Sequence, residues 1–182
     1  MAAALPPSLV NSALPSSALH TSAPFTQREF RDALGQFATG VTIITARSPE
    51  GHPVGATVSS FNALSLNPPL VLWSLGLTAS SLPVFQRCTH YAIHVLGAAQ
   101  KPLAELFARK GADRFGHTPH HDSPRGVPLL EGCAAVFECR NRSRHEEGDH
   151  IIFIGEVERC EHHRERAPLL YHAGHMHTRG LL

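Results

Sequence analysis

Cysteine is scarce in this chain, and what there is carries no pattern. Cys88, Cys133, Cys139 and Cys160 form no C-x-x-C pair and keep no regular spacing. A disulfide framework and a cysteine zinc site are both excluded as readings, and reduced thiols point to the cytoplasm. Charge of one sign is missing too. Sixteen Lys plus Arg against fifteen Asp plus Glu leave +1, so no summed field favours nucleic acid or an acidic membrane surface. The longest clear apolar run, Leu70 to Leu75, falls far short of the roughly 18 residues that span a bilayer. Also absent are G-x-G-x-x-G, G-x-x-x-x-G-K-[ST], H-E-x-x-H and G-x-S-x-G, which removes the Rossmann, P-loop, zincin and hydrolase-elbow readings.

What remains is ordinary globular composition. With 42% hydrophobic and 17% charged residues, disorder and coiled coil drop out, and 182 residues fit one domain with a short extension. Residues 1–24 are rich in Ala, Ser, Pro and Leu without Lys or Arg. They lack the charged start of a secretory signal and read as a flexible tail, leaving 25–182 as the domain. Fourteen histidines make the surface charge sensitive to pH near about 6.5.

The first element is announced by Thr26 and Glu29, a capping box, with Phe25 and Phe30 spaced as a hydrophobic staple. Phe30, Ala33, Leu34, Phe37 and Ala38 make an apolar stripe at helical spacing and predict a helix that Gly40 ends. Beyond it, Val41 to Thr45 and Val54 to Asn62 predict a hairpin around Ser48-Pro49-Glu50-Gly51. Further strands are expected at Leu70 to Ser74, Tyr91 to Leu96, Cys133 to Arg140, His150 to Glu158 and Leu169 to His172. Helical turns are expected at Ser81 to Arg87 and from Gln100 to near Gly111. Gly116 to Gly126 reads as a polar loop and Asn141 to Asp149 as a charged connection. The sum is mainly β with short flanking helices: an antiparallel barrel, not a doubly wound sheet.

Two segments suggest chemistry. Thr57-Val58-Ser59-Ser60-Phe61 alternates hydroxyls on a strand, so at least one faces inward. Ser74 to Ser81 carries a buried strand into a hydroxyl-rich helix start, a setting that suits phosphate. Each also has a plain structural reading: solvent-facing strand hydroxyls in one case, a helix N-cap in the other. His117, His120, His121 with Asp122, His162 with His163, and His172, His175 and His177 have spacings that suit a transition metal. They fall in polar loops or near the chain end without a cysteine, and no metal site is assigned.

The order of pieces resembles the flavin reductase family. The resemblance rests on Gly35 to Thr45 (GQFATGVTIIT), Thr57 to Phe61, Leu66-Asn67-Pro68-Pro69-Leu70-Val71-Leu72, Gly148-Asp149-His150 and Gly155-Glu156-Val157. It implies an FMN-binding split β-barrel, a homodimer with flavin near the subunit interface. It also implies NADH- or NADPH-dependent reduction of FMN or FAD for a partner monooxygenase. On this resemblance Thr57, Val58, Ser59 and Ser60 lie along the isoalloxazine and ribityl, and Ser74, Leu75 and Gly76 follow the flavin. Ser80, Ser81 and Arg114 hold its phosphate end, and Phe107 and Arg109 close the site. His150 sits beside the ring in a supporting role, and Tyr171, His172 and Gly174 meet the nicotinamide. The alternative within the same fold is a non-catalytic protein with fixed FMN. From the residues alone, Phe107 reads equally as core, Arg109 and Arg114 as solvated charges and His150 as an exposed strand start.

Overall fold

The computed structural model describes residues 24–179; residues 1–23 of the expected tail lie outside them. Helix α1 (Gln27–Gly35) opens through the expected capping box. The Thr26 amide donates to Glu29 Oε2 at 2.7 Å and the Glu29 amide to Thr26 Oγ1 at 3.2 Å. The staple rings of Phe25 and Phe30 lie 5.4 Å apart. The helix stops at Gly35 with Gln36 as its cap, short of Gly40. The next residues are drawn into a strand instead, β1 (Thr39–Gly40). Its apolar stripe is not core either, since α1 buries no residue and Phe30, Leu34 and Phe37 are 50%, 57% and 72% exposed. Amphipathic spacing reports a face that needs a partner, and the described residues do not supply one.

The chain continues through β2 (Thr42–Arg47), β3 (Pro53–Val58), β4 (Asn62–Leu66) and β5 (Pro69–Gly76). Helix α2 (Leu82–Arg87), β6 (His90–Val95), a 3-10 turn (Ala98–Gln100) and α3 (Lys101–Ala108) follow. Then come β7 (His120–Asp122), β8 (Pro128–Leu130), β9 (Ala135–Glu147), β10 (His150–His162), β11 (Leu170–His172) and β12 (His175–His177). Seven strands form one antiparallel sheet in the order β3-β2-β6-β9-β10-β5-β4. Its two edges, β3 and β4, are separated in sequence only by Ser59-Ser60-Phe61, so the sheet must curl until the edges nearly meet. That break replaces the single strand expected over Val54 to Asn62. Ser60 fixes it: its hydroxyl accepts from the Ser74 amide at 2.9 Å and donates to the Ser74 carbonyl at 3.0 Å, tying the connector to β5. The result is the antiparallel split barrel expected from the sequence.

The charged connection expected over Asn141 to Asp149 is strand almost throughout. β9 and β10 pair as far as Glu147 and His150, and the turn is only Gly148-Asp149, with Gly148 at φ +59°. The polar loop over Gly116 to Gly126 contains β7, paired with β8, and β11 continues into β12.

Two cores result. Inside the barrel Trp73 and Phe153, cross-strand partners on β5 and β10, stack at 4.4 Å and 11°, with Phe85 and Tyr91 edge-on to Trp73. Burying each such ring contributes about 1.5–3 kcal/mol. Outside the barrel, Ile43, Leu96, Phe107, Leu130 and Leu169 pack between β2, α3, β8 and β11. β2 thus faces a core on both sides, which explains its unbroken burial from Thr42 to Ala46. His94 is wholly enclosed. Its Nε2 accepts the Leu130 amide at 3.0 Å, so the proton is on Nδ1, which donates to the Ile43 carbonyl at 3.0 Å. Burial pushes its pKa down to about 4, and the ring is neutral.

Candidate active site

The elements around β3 enclose two clefts. The larger, about 520 Å³, lies where α1 meets the β11–β12 turn, and Leu34, Gln36, Phe37, Thr39, Ser59 and Tyr171 line it together with Arg31, Asp32 and Gly174. Two bonds hold its walls together. Thr39 pairs with Tyr171 across β1 and β11, and the Ala173 amide donates to the Gly35 carbonyl at 2.8 Å. Ala173 and Gly174 both have positive φ, +48° and +81°, the geometry of a tight hairpin turn. The second cleft, about 430 Å³, lies beside the start of β3, and Pro53 to Gly55, Ser80, Ser81, Val84, Asp113 and Arg114 line it. β3 leads from one cleft to the other, and Gly55 to Ser59 covers about 13 Å at strand rise.

One residue lining each cleft has a buried polar atom with no partner among the described residues: Thr39 Oγ1 at the larger and Arg114 Nε at the second. Arg114 donates through its other nitrogens to the Gly55 carbonyl at 2.7 Å and the Arg109 carbonyl at 3.0 Å. Partial burial lowers its pKa, but a guanidinium stays charged. The cation beside the Ser80 and Ser81 hydroxyls suits an anionic group such as phosphate. Asp113 does not cancel it outright, because its Oδ1 accepts the Phe115 and Gly116 amides at 3.3 and 2.9 Å. The amides that open α2 are mostly spent, since Leu82 donates to Ala79, Val84 and Phe85 donate to Ser81, and Pro83 has none. The hydroxyls and the arginine therefore carry the anion fit, and the larger cleft suits a flat ring with polar edges.

His150 lines neither cleft; it opens β10, opposite Gly76 at the end of β5. A Cβ built at Gly76 would meet His150 Nε2 at 3.7 Å, ordinary van der Waals contact, so the imidazole lies directly against this residue. Asp149 Oδ1 lies 2.7 Å from His150 Nδ1, and this hydrogen bond holds the Asp149 carboxyl below its ordinary pKa.

The remaining expected site residues sort by what already occupies them. Ser59, Tyr171 and Gly174 meet in the larger cleft; Ser80, Ser81 and Arg114 meet in the second. Thr57 and Val58 are half-buried. The Thr57 hydroxyl is committed to the Ala104 carbonyl at 2.7 Å, and the Val58 carbonyl accepts the Thr42 hydroxyl at 3.0 Å. Ser60 and Ser74 are bonded to each other, and Leu75 points into the barrel core. Phe107 does not close a cleft: it is a core residue, 1% exposed, held under Gly55. Arg109 is exposed and lines neither cleft, and His172 lines neither, its carbonyl facing His177 Nε2 at 3.4 Å. Sequence reasoning missed Gln36 and Thr39, although both lie in the Gly35 to Thr45 run that carries the resemblance. Among the described residues no group of three or more His, Cys, Asp or Glu is placed to hold a metal ion, and no helix is long and apolar enough to cross a membrane.

A family model described as "Flavin reductase like domain" matches residues 34–180, from the end of α1 past β12. The chain belongs to this flavin reductase family. It is 48% identical over 147 residues, 81% of this chain and 83% of the other, to the FMN reductase (NADH) SmoA of Agrobacterium fabrum. It is 40% identical to the reductase subunit HsaB of a flavin-dependent monooxygenase of Rhodococcus jostii, over 81% of this chain and 75% of that one. Among solved structures it resembles the NADH:FAD oxidoreductase SgcE6 of Streptomyces globisporus, crystallised with NAD and FAD fragments. The TM-score is 0.79 and the identity 33%, over 85% of this chain and 93% of that one.

Proposed function

We propose that this chain is a flavin reductase that oxidises NADH, reduces FMN or FAD, and releases the reduced flavin to a flavin-dependent monooxygenase. The observation that carries the reading is the pair of clefts joined by β3, one built for an anion and one for a ring, each lined by a residue whose buried polar atom has no partner among the described residues. Hydride transfer is chemistry that the two bound cofactors supply. The chain's own residues bind and orient. Ser80, Ser81 and Arg114 hold the flavin phosphate; Ser59, the β5 backbone from Ser74 to Gly76, and His150 border its ring system; Tyr171 and Gly174 border the nicotinamide. His150, kept in one orientation by Asp149, offers Nε2 toward charge that develops on reduction.

The working unit is residues 25–182, placed in the cytoplasm and paired as a homodimer. Phe25, Phe30, Leu34 and Phe37 expose an apolar face beside the larger cleft, and a second copy covering it would also wall that cleft. Anaerobic mixing of a trace of protein with excess FMN and NADH tests the reading. Many turnovers of flavin bleaching per protein are expected; bleaching that halts at one equivalent means fixed FMN, and none at all overturns the enzyme.

A further inference from the structure

Six buried side-chain polar atoms among the described residues lack a hydrogen-bond partner. Two of them, Trp73 Nε1 and Tyr91 Oη, sit within the packed aromatic barrel core, where a ligand has no room. Thr39 Oγ1 is different, because its residue lines the larger cleft. The position is also firmly set. Thr39 pairs with Tyr171, the Val41 amide donates to the Leu169 carbonyl at 3.1 Å, and the Ala173 amide closes onto Gly35 at 2.8 Å. The backbone is thus fixed, while rotation about χ1, which breaks none of these bonds, turns the hydroxyl from its enclosed position toward the cleft.

Valine has nearly the shape of threonine, suits a strand better and leaves no hydroxyl unpaired. A threonine at this position therefore keeps a hydroxyl for which the described residues provide no partner. We propose that Thr39 is the residue that fixes the nicotinamide ring, its hydroxyl hydrogen-bonding the ring's carboxamide. The assignment rests on the reading of the larger cleft as the nicotinamide site and adds to it the group that sets ring orientation. The surroundings fit: Leu34, Phe37 and Tyr171 offer apolar surface to a flat ring, and Gln36 offers a polar contact to its edge. A carboxamide has both a donor and an acceptor, so either rotamer of the hydroxyl is satisfied.

The test is NAD+ affinity, measured by calorimetric titration of the FMN-loaded protein, with Thr39→Val and Thr39→Ser beside the unaltered chain. Losing one hydrogen bond should weaken NAD+ about fivefold to tenfold in Thr39→Val. FMN affinity should stay within about twofold and melting temperature should not fall, because valine leaves nothing unpaired. Thr39→Ser should restore NAD+ binding. Unchanged NAD+ affinity in Thr39→Val overturns the assignment, as does a parallel loss of FMN affinity and melting temperature. An unaltered chain that binds FMN but no NAD+ overturns the cleft reading itself, and the Thr39 assignment with it.

Discussion

His94 makes the fold sensitive to acid in a way that can be worked out from its surroundings. Its ordinary pKa is 6.5 and burial pushes it down to about 4 in the folded chain, helped by the nearby His121 and opposed by the Ile43 carbonyl. Above about pH 6.5 the ring is neutral whether the chain is folded or not, and His94 makes stability no function of pH. Below that, the unfolded chain takes up a proton that the folded chain refuses, since protonating Nε2 would break the Leu130 bond and bury a charge. Stability is then lost at up to about 1.4 kcal/mol per pH unit until the folded ring titrates, so about 2 kcal/mol disappears between about pH 8 and about pH 5. Urea unfolding followed by the fluorescence of Trp73, the only tryptophan and wholly buried, measures it directly. His94→Asn is the comparator, because its amide can donate and accept at one site without titrating, and every other histidine is common to both chains. The variant should lose about 2 kcal/mol less over that range. Parallel pH–stability curves for the two proteins would refute the reasoning.

Phe107→Ala should cost about 3–5 kcal/mol in the same unfolding assay, as a buried ring does, whereas a residue that merely closed a cleft would cost little. Replacing His150 by Ala should slow flavin bleaching by less than about a hundredfold, because the residue positions and polarises without carrying an obligatory proton; complete loss would contradict that role. Of the four thiols, only exposed Cys160 should react promptly with a disulfide reagent near neutral pH. Burial pushes Cys88 and Cys133 up to about 11 and Cys139 up to about 12. Prompt reaction of two or more thiols would show that the packing around them is looser than described.

The barrel was readable where hydrophobicity and β-branching coincide, as in Val41 to Thr45 and Tyr91 to Leu96, because both faces of those strands meet a core. Arg142 to Glu147 was not readable as strand. It is exposed apart from the half-buried Ser143 and is held by main-chain pairing with β10 rather than by apolar burial, so its charged sequence looks like a loop. The capping box at Thr26 was legible to the residue, yet the stripe of α1 misled, since spacing tells that a face is apolar and not what covers it. The site divides in the same way. Ser80, Ser81 and Arg114 were named and do converge, but Thr57 and Phe107 are spent on α3 and the outer core, commitments set by tertiary contacts no local pattern encodes. Thr39 is not legible in the sequence because what marks it is a missing partner beside a cleft, and only the folded contacts show that.

The central claim is that the two clefts along β3 hold the flavin phosphate and the nicotinamide ring, and a crystal structure of the protein with FMN and NAD+ bound tests it most directly. The phosphate should lie against Ser80, Ser81 and Arg114, and the nicotinamide against Thr39 and Tyr171. Phosphate density anywhere else, or a nicotinamide away from the cleft between α1 and the β11–β12 turn, would contradict the account.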